Sequence, residues 1–168
     1  MVACCAALAS GCGLTHAQGL SFRVDNRLHF TAPTDMRRVS QPVTVSWTMN
    51  GFRVAGGGTE RPSTQAGYFG VFVDRAPIAR GQTMRAVASG DHICLSDPQC
   101  PDADYLAARR VFTTTTPTLT LPRLPQVPGD GEPVQVHRVI VVLIDTAGHR
   151  IGESAWELDL RLPRAGSA

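Results

Sequence analysis

From residue 20 onward, apolar and polar residues alternate with a period of two more often than at helical spacing, which places successive side chains on opposite faces of β-strands. Val43, Val45, Trp47 and Met49 alternate with Thr44, Ser46, Thr48 and Asn50, and Asn50-Gly51 follows as a turn signal. Phe22, Val24, Leu28 and Phe30 predict an earlier strand with an irregularity at Asp25-Asn26, ended by Pro33. Tyr68 to Asp74 is apolar on both faces and reads as central in its sheet. Val134 to Asp145 is likewise two-faced, with Val139, Val141 and Leu143 on one side and Val136, Ile140, Val142 and Ile144 on the other. After a hairpin loop at 146–150, Trp156, Leu158, Leu160 and Leu162 point inward and Ala155, Glu157, Asp159 and Arg161 outward. That alternation predicts a charged edge strand. Val111 to Leu121 is threonine-rich and strand-like, broken at Pro117. Residues 77–90 read as a short edge strand or an irregular connection. Asp102 to Arg109 reads as one or two helical turns, acidic at the start and basic at the end.

About seven short strands with turn signals between them, two of them apolar on both faces, predict an all-β fold built as an antiparallel β-sandwich. The early Trp47 strand, the late two-faced Val134–Asp145 strand and the terminal Trp156-Glu157-Leu158 partner resemble the immunoglobulin-like or fibronectin-III-like modules of bacterial surface lipoproteins. The resemblance spans residues 20–163 and leaves 164–168 as a tail. It departs from antibody-type domains: there is no inter-sheet cysteine pair, and no tyrosine precedes a strand cysteine. A disulfide-bearing insertion at 85–110 is a further departure. A jelly roll and a small open barrel remain alternatives.

The N-terminus is apolar, ends in small residues and stops at a cysteine. Leu8-Ala9-Ser10-Gly11-Cys12 resembles the bacterial lipobox, with Ala9 where that family carries Leu or Val. The resemblance implies a signal peptide at 1–11 and a Cys12 that takes a diacylglyceryl thioether and becomes the mature N-terminus. Residues 12–19 would then tether the domain to a membrane. The leader lacks its basic n-region, which implies a true start upstream of Met1. Cys4 and Cys5 would leave with the leader.

Cys94 and Cys100 bracket a short loop containing Asp97-Pro98. In an oxidising compartment such a pair favours a disulfide over a metal site or two free thiols. His92 adds at most a third ligand and matches no standard zinc spacing. His16, His29, His137 and His149 are scattered, with His29 and His137 expected at strand rims or surfaces. Asp91, Asp97, Asp102 and Asp104 fall in one region without the order of a calcium loop. Asp91-His92 beside Ser89 and Ser96 suggests a hydrolase, but GxSxG, SxxK and HExxH are all missing. Gly56-Gly57-Gly58 lacks the strand, lysine and helix of a phosphate loop. Tyr68, Phe69 and Phe72 are expected in the core.

All 16 basic residues are arginine, and the net charge is +2, too mild by itself to argue for nucleic acid or an anionic membrane surface. Arg37-Arg38 and Arg109-Arg110 read as solvated pairs. The expected function is therefore that of a non-catalytic, lipid-anchored cell-envelope protein without a cofactor. Its domain would contact an envelope protein through residues 85–110, because loops on a rigid scaffold carry binding. The alternative is a periplasmic copper- or zinc-binding domain.

Overall fold

A computed structural model describes residues 25–126 and 132–164. The fold is mostly β, and its strands pair antiparallel apart from two short parallel pairings. In chain order the strands are β1 (Leu28–Ala32), β2 (Arg37–Arg38), β3 (Val43–Met49), β4 (Arg53–Val54), β5 (Ala66–Val73), β6 (Val111–Thr114), β7 (Thr118–Leu121), β8 (Val134–Asp145) and β9 (Arg150–Pro163). A 3₁₀ turn (Met84–Ala88) and two short helices, α1 (His92–Ser96) and α2 (Ala103–Ala108), lie between β5 and β6. The described residues thus hold nine strands where about seven were expected. The additional two, β2 and β4, are two-residue strands with no apolar alternation to reveal them.

β1, β3 and β7 form a three-stranded sheet. The larger sheet runs β2-β9-β8-β5-β4, with β6 pairing β5 beyond the two residues held by β4. Pro117 marks the crossing between sheets: β6 ends in the larger sheet, and β7 pairs β3 in the smaller one. One cluster of buried side chains draws on both sheets, including Val45 and Trp47 from β3, Leu121 from β7, Phe69 and Val71 from β5, Val141 from β8 and Leu158 and Leu160 from β9. A second cluster lies on the opposite face of the larger sheet. There Phe72, Ile140, Val142 and Ile144 pack beneath Ile78, Met84, Val87 and Leu106. This explains the two-faced runs: β5 and β8 are covered on one side by the small sheet and on the other by the segment between β5 and β6. Gly67 is fixed by the same closeness, because a Cβ there would collide with the backbone carbonyl of Ile144.

Several expectations change. β1 begins at Leu28, after a turn, and its irregularity lies between Phe30 and Ala32; Phe22 and Val24 fall outside the described residues. β9 has the expected inward set, and β2 pairs alongside it only at Leu160 and Arg161, so it is not the edge of the sheet there. Residues 77–90 are an irregular connection, tied to the β8–β9 turn by a bridge between Thr83 and His149 and by backbone hydrogen bonds from Met84 to Gly148, Gly81 to Arg150 and Arg150 to Gln82. His137 is not at a rim: it is fully buried.

Candidate functional site

The segment from Asp74 to Arg110 leaves the larger sheet at the end of β5 and returns at the start of β6. Its neck is latched. Asp74 has a left-handed backbone (φ 53°), a conformation aspartate tolerates better than most residues. Its carboxylate meets the Nδ1 of His137 at 2.7 Å and accepts from Arg110 Nη1 at 3.2 Å and from the Arg138 backbone N–H at 2.9 Å. Burial works against the Asp74 charge, but the bonds from His137 and the Arg138 amide, with the positive charge of Arg110, hold its carboxyl below the usual range. Arg110 was expected to be solvated; it instead closes the neck, and its carbonyl also accepts from the Val73 amide.

Beyond the neck, local capping builds the shape. Asp91 caps α1, accepting from the Cys94 amide at 3.1 Å, and Asp102 caps α2, accepting from the Tyr105 amide at 2.7 Å. Asp97 accepts from the Gln99 amide in a turn. Three of the four clustered carboxylates, Asp91, Asp97 and Asp102, thus accept from backbone amides. Among the described residues, no three His, Cys, Asp or Glu side chains gather as a metal ion would need.

Cys94 and Cys100 are bridged, with Cα atoms 5.2 Å apart. Arg85, at the 3₁₀ turn, donates to the carbonyls of Leu95 (2.7 Å), Cys100 (2.7 Å) and Asp97 (3.2 Å). Asp91 joins the two helices. Its Oδ2 accepts from the Tyr105 hydroxyl at 2.9 Å and from Arg109 Nη2 at 3.2 Å, and the Arg109 guanidinium stacks 3.4 Å above the Tyr105 ring centroid. The Cys94 amide, the Tyr105 hydroxyl and Arg109 together lower the Asp91 pKa. Engaged this way, Asp91 holds the two helices together.

This frame presents Ile93 on α1 at 86% exposure, the most exposed large apolar side chain among the described residues. Beside the frame, a pocket of about 560 Å³ opens between the insertion and β6, walled by Met84, Pro101 and Leu106 on one side and by Tyr68, Thr113 and Thr115 on the other. Phe69 and Phe72 are core as expected, whereas Tyr68 is half-buried and reaches this pocket. The sequence pointed to the insertion and its disulfide but missed Arg85, Ile93 and the Asp74–His137–Arg110 latch. His29, His92 and His149 are exposed. Cys12 and His16 lie outside the described residues.

The disulfide closes a short loop, so its stabilisation on the chain-entropy estimate is roughly 2–2.5 kcal/mol. Replacing both Cys94 and Cys100 with Ser is expected to leave a folded protein with a lower melting temperature, because Arg85 still gathers the three carbonyls. Limited proteolysis is expected to cut within 94–100 before the sheets open. Arg85→Ala with the disulfide intact is expected to raise cleavage in the same segment. Resistance equal to wild type in both variants would show that neither device holds the loop. No protein-family model, curated protein or solved structure matches this chain.

Proposed function

We propose that the chain is a non-catalytic, lipid-anchored envelope protein whose immunoglobulin-like β-sandwich serves as a rigid mount for a protein-binding insertion. The observation that carries this reading is the insertion itself. Four devices fix its conformation: the neck latch, the disulfide, Arg85 and the Asp91–Tyr105–Arg109 network. What they present to solvent is an apolar side chain, Ile93, that contributes nothing to the core. Pre-ordering a loop removes an entropy cost that binding otherwise carries, and an exposed isoleucine on a stapled helix suits an apolar recess on a partner. The disulfide fits an oxidising compartment, and the lipobox-like Leu8–Cys12 stretch supplies the anchor, with acyl chains contributing about 0.8 kcal/mol per buried methylene.

The test uses the full chain expressed behind a basic n-region. Wild type is expected to label with a fatty-acid analogue and sediment with membranes, and Cys12→Ala to do neither. A photo-crosslinking residue at position 93 is expected to give one discrete adduct with an envelope protein, while the same residue at Thr120, on the exposed face of β7, gives none. Labelling that survives Cys12→Ala would overturn the anchor. Equal crosslinking at both positions, or none at 93, would overturn the binding role of the insertion.

A further inference from the structure

Among the described residues β6 pairs with β5 alone, which leaves its other edge open. The register decides which backbone groups face that edge. The Val73 amide donates to the Arg110 carbonyl, and the same register sets Phe72 opposite Val111, Val71 opposite Phe112 and Gly70 opposite Thr113. Bonded and non-bonded pairs alternate along an antiparallel ladder. Phe112 and Thr114 therefore bond β5, and Thr113 turns its amide and carbonyl outward. Thr113 is exposed, and among the described residues no hydrogen bond from outside the ladder reaches its backbone. Folded proteins blunt open edges with charge, proline or a covering element. Val111–Thr114 carries neither charge nor proline, and its residue types favour pairing.

The pocket of about 560 Å³ between the insertion and β6 borders this edge. Successive strand residues point to opposite faces, so a wall made by Thr113, Thr114 and Thr115 in a row runs along the edge of the strand. Met84, Pro101 and Leu106 supply the apolar surface, and among the described residues no charged side chain stands on the wall. Tyr68 is also on the wall, and its hydroxyl has no hydrogen-bond partner among the described residues. Burial and the negative charge of Asp145 raise the Tyr68 pKa, so the hydroxyl stays a donor.

A free amide and carbonyl beside an uncharged, apolar recess match the two halves of an extended peptide, its backbone and one apolar side chain. A second copy fits less well. On the pocket side its β6 offers Val111, which is fully buried against Met84 and Leu106, and Thr113, so it brings no apolar side chain to the recess. We propose that the β6 edge at Thr113 binds an extended, uncharged peptide segment by strand addition, with one apolar side chain seated against Met84, Pro101 and Leu106. Ile93 is not on this wall, so this contact is separate from the one proposed for α1.

The probes are capped peptides of about six residues, a typical strand length, alternating threonine with valine, leucine or phenylalanine and titrated into the full chain. At least one of the three is expected to bind. N-methylating every second amide of that peptide is expected to abolish binding in one phase of the alternation and to spare it in the other, because an added strand bonds through alternate residues. Thr113→Pro removes the outward amide while the ladder to β5 keeps its bonds, so this variant is expected to fold and to bind about tenfold more weakly. Ala103→Trp, at an exposed position on the wall, is expected to fill the recess and weaken binding by a similar factor. The methylated peptides read the edge on the unaltered chain, whatever the proline does to folding. No binding by any of the peptides, equal tolerance of both methylation phases, or wild-type affinity in Thr113→Pro or Ala103→Trp would overturn the site. Dimerisation of the wild type that Thr113→Pro abolishes would give the edge to a second copy instead.

Discussion

Trp47→Ala is expected to cost roughly 3–5 kcal/mol, the range for truncating a large buried aromatic. Trp47 is 2% exposed and stands at the junction of the two sheets. Its ring meets Phe69 of the larger sheet edge-on, with centroids 5.2 Å apart and planes at 79°, and Phe30 of β1 at 6.4 Å and 75°. Truncation removes both aromatic pairs, each contributing about 0.5–1.5 kcal/mol beyond area, and leaves a cavity walled by rigid β-sheet backbone. Such walls relax little. For a domain with a typical stability of about 5–15 kcal/mol, the melting temperature is expected to fall by roughly 10 °C or more. Trp47→Phe is expected to fall well short of this loss. It keeps the edge contact with Phe69 and removes the indole Nε1, which is buried without a hydrogen-bond partner. Thermal melts of the two variants check the order. An alanine variant within a degree or two of wild type would put Trp47 outside the load shared by the two sheets.

The strand pattern around Trp47 was legible because it is long and regular. Seven alternating residues in β3 separate a buried face from an exposed one without help from the rest of the chain. The same holds for β5 and β8, whose two apolar faces required two covers. The nature of the second cover was not legible. Ile78, Met84, Val87 and Leu106 are spaced irregularly, and they gather only because the chain leaves β5 and returns to β6 across the same face. β2 and β4 are held by backbone pairing, so exposed Arg37-Arg38 and Arg53-Val54 carry no periodicity. α1 is five residues long, too short for a 3.6-residue period; its one signal was Asp91 three residues before Cys94, the spacing of a cap.

Charge was the least legible property. The chain sum of +2 averages over arginines with different fates. Arg109 is stacked on Tyr105, Arg110 closes a neck, Arg150 donates to the Ile78 carbonyl in the interior, and Arg38 faces Arg161. Adjacent residues in sequence, such as Arg109 and Arg110, serve carboxylates at 91 and 74. Nothing in a local window distinguishes such residues from a solvated pair. The distinction comes from the partner, and the partner is set by topology.

Asp74→Ala is expected to be the second most damaging change, near the low end of the roughly 3–5 kcal/mol for breaking a buried charged pair from one side. Asp74 is the shared acceptor at the neck, with its side chain 16% exposed, and His137 beside it is fully buried. Removing the carboxylate leaves the His137 ring with neither nitrogen bonded, since Nε2 already lacks a partner. It also frees the Arg138 amide and Arg110. The insertion then loses its latch where its two strands of chain meet, so hydrogen exchange should rise across 74–110 before it rises in β3. The same carboxylate sets an acid limit. The folded-state pKa of Asp74 lies below its unfolded value. Its contribution to stability is therefore complete above the ordinary aspartate range, near 4, and is lost as pH falls through the lower folded value. The Asp74→Ala protein should accordingly show a shallower loss of melting temperature between about pH 4 and more acidic conditions than wild type. His137→Leu, similar in volume and apolar, should be less harmful than Asp74→Ala, because it removes the buried imidazole while Arg110 and the Arg138 amide keep their acceptor. Equal damage from both, together with parallel pH curves, would show that the site contributes through packing and not through the latch.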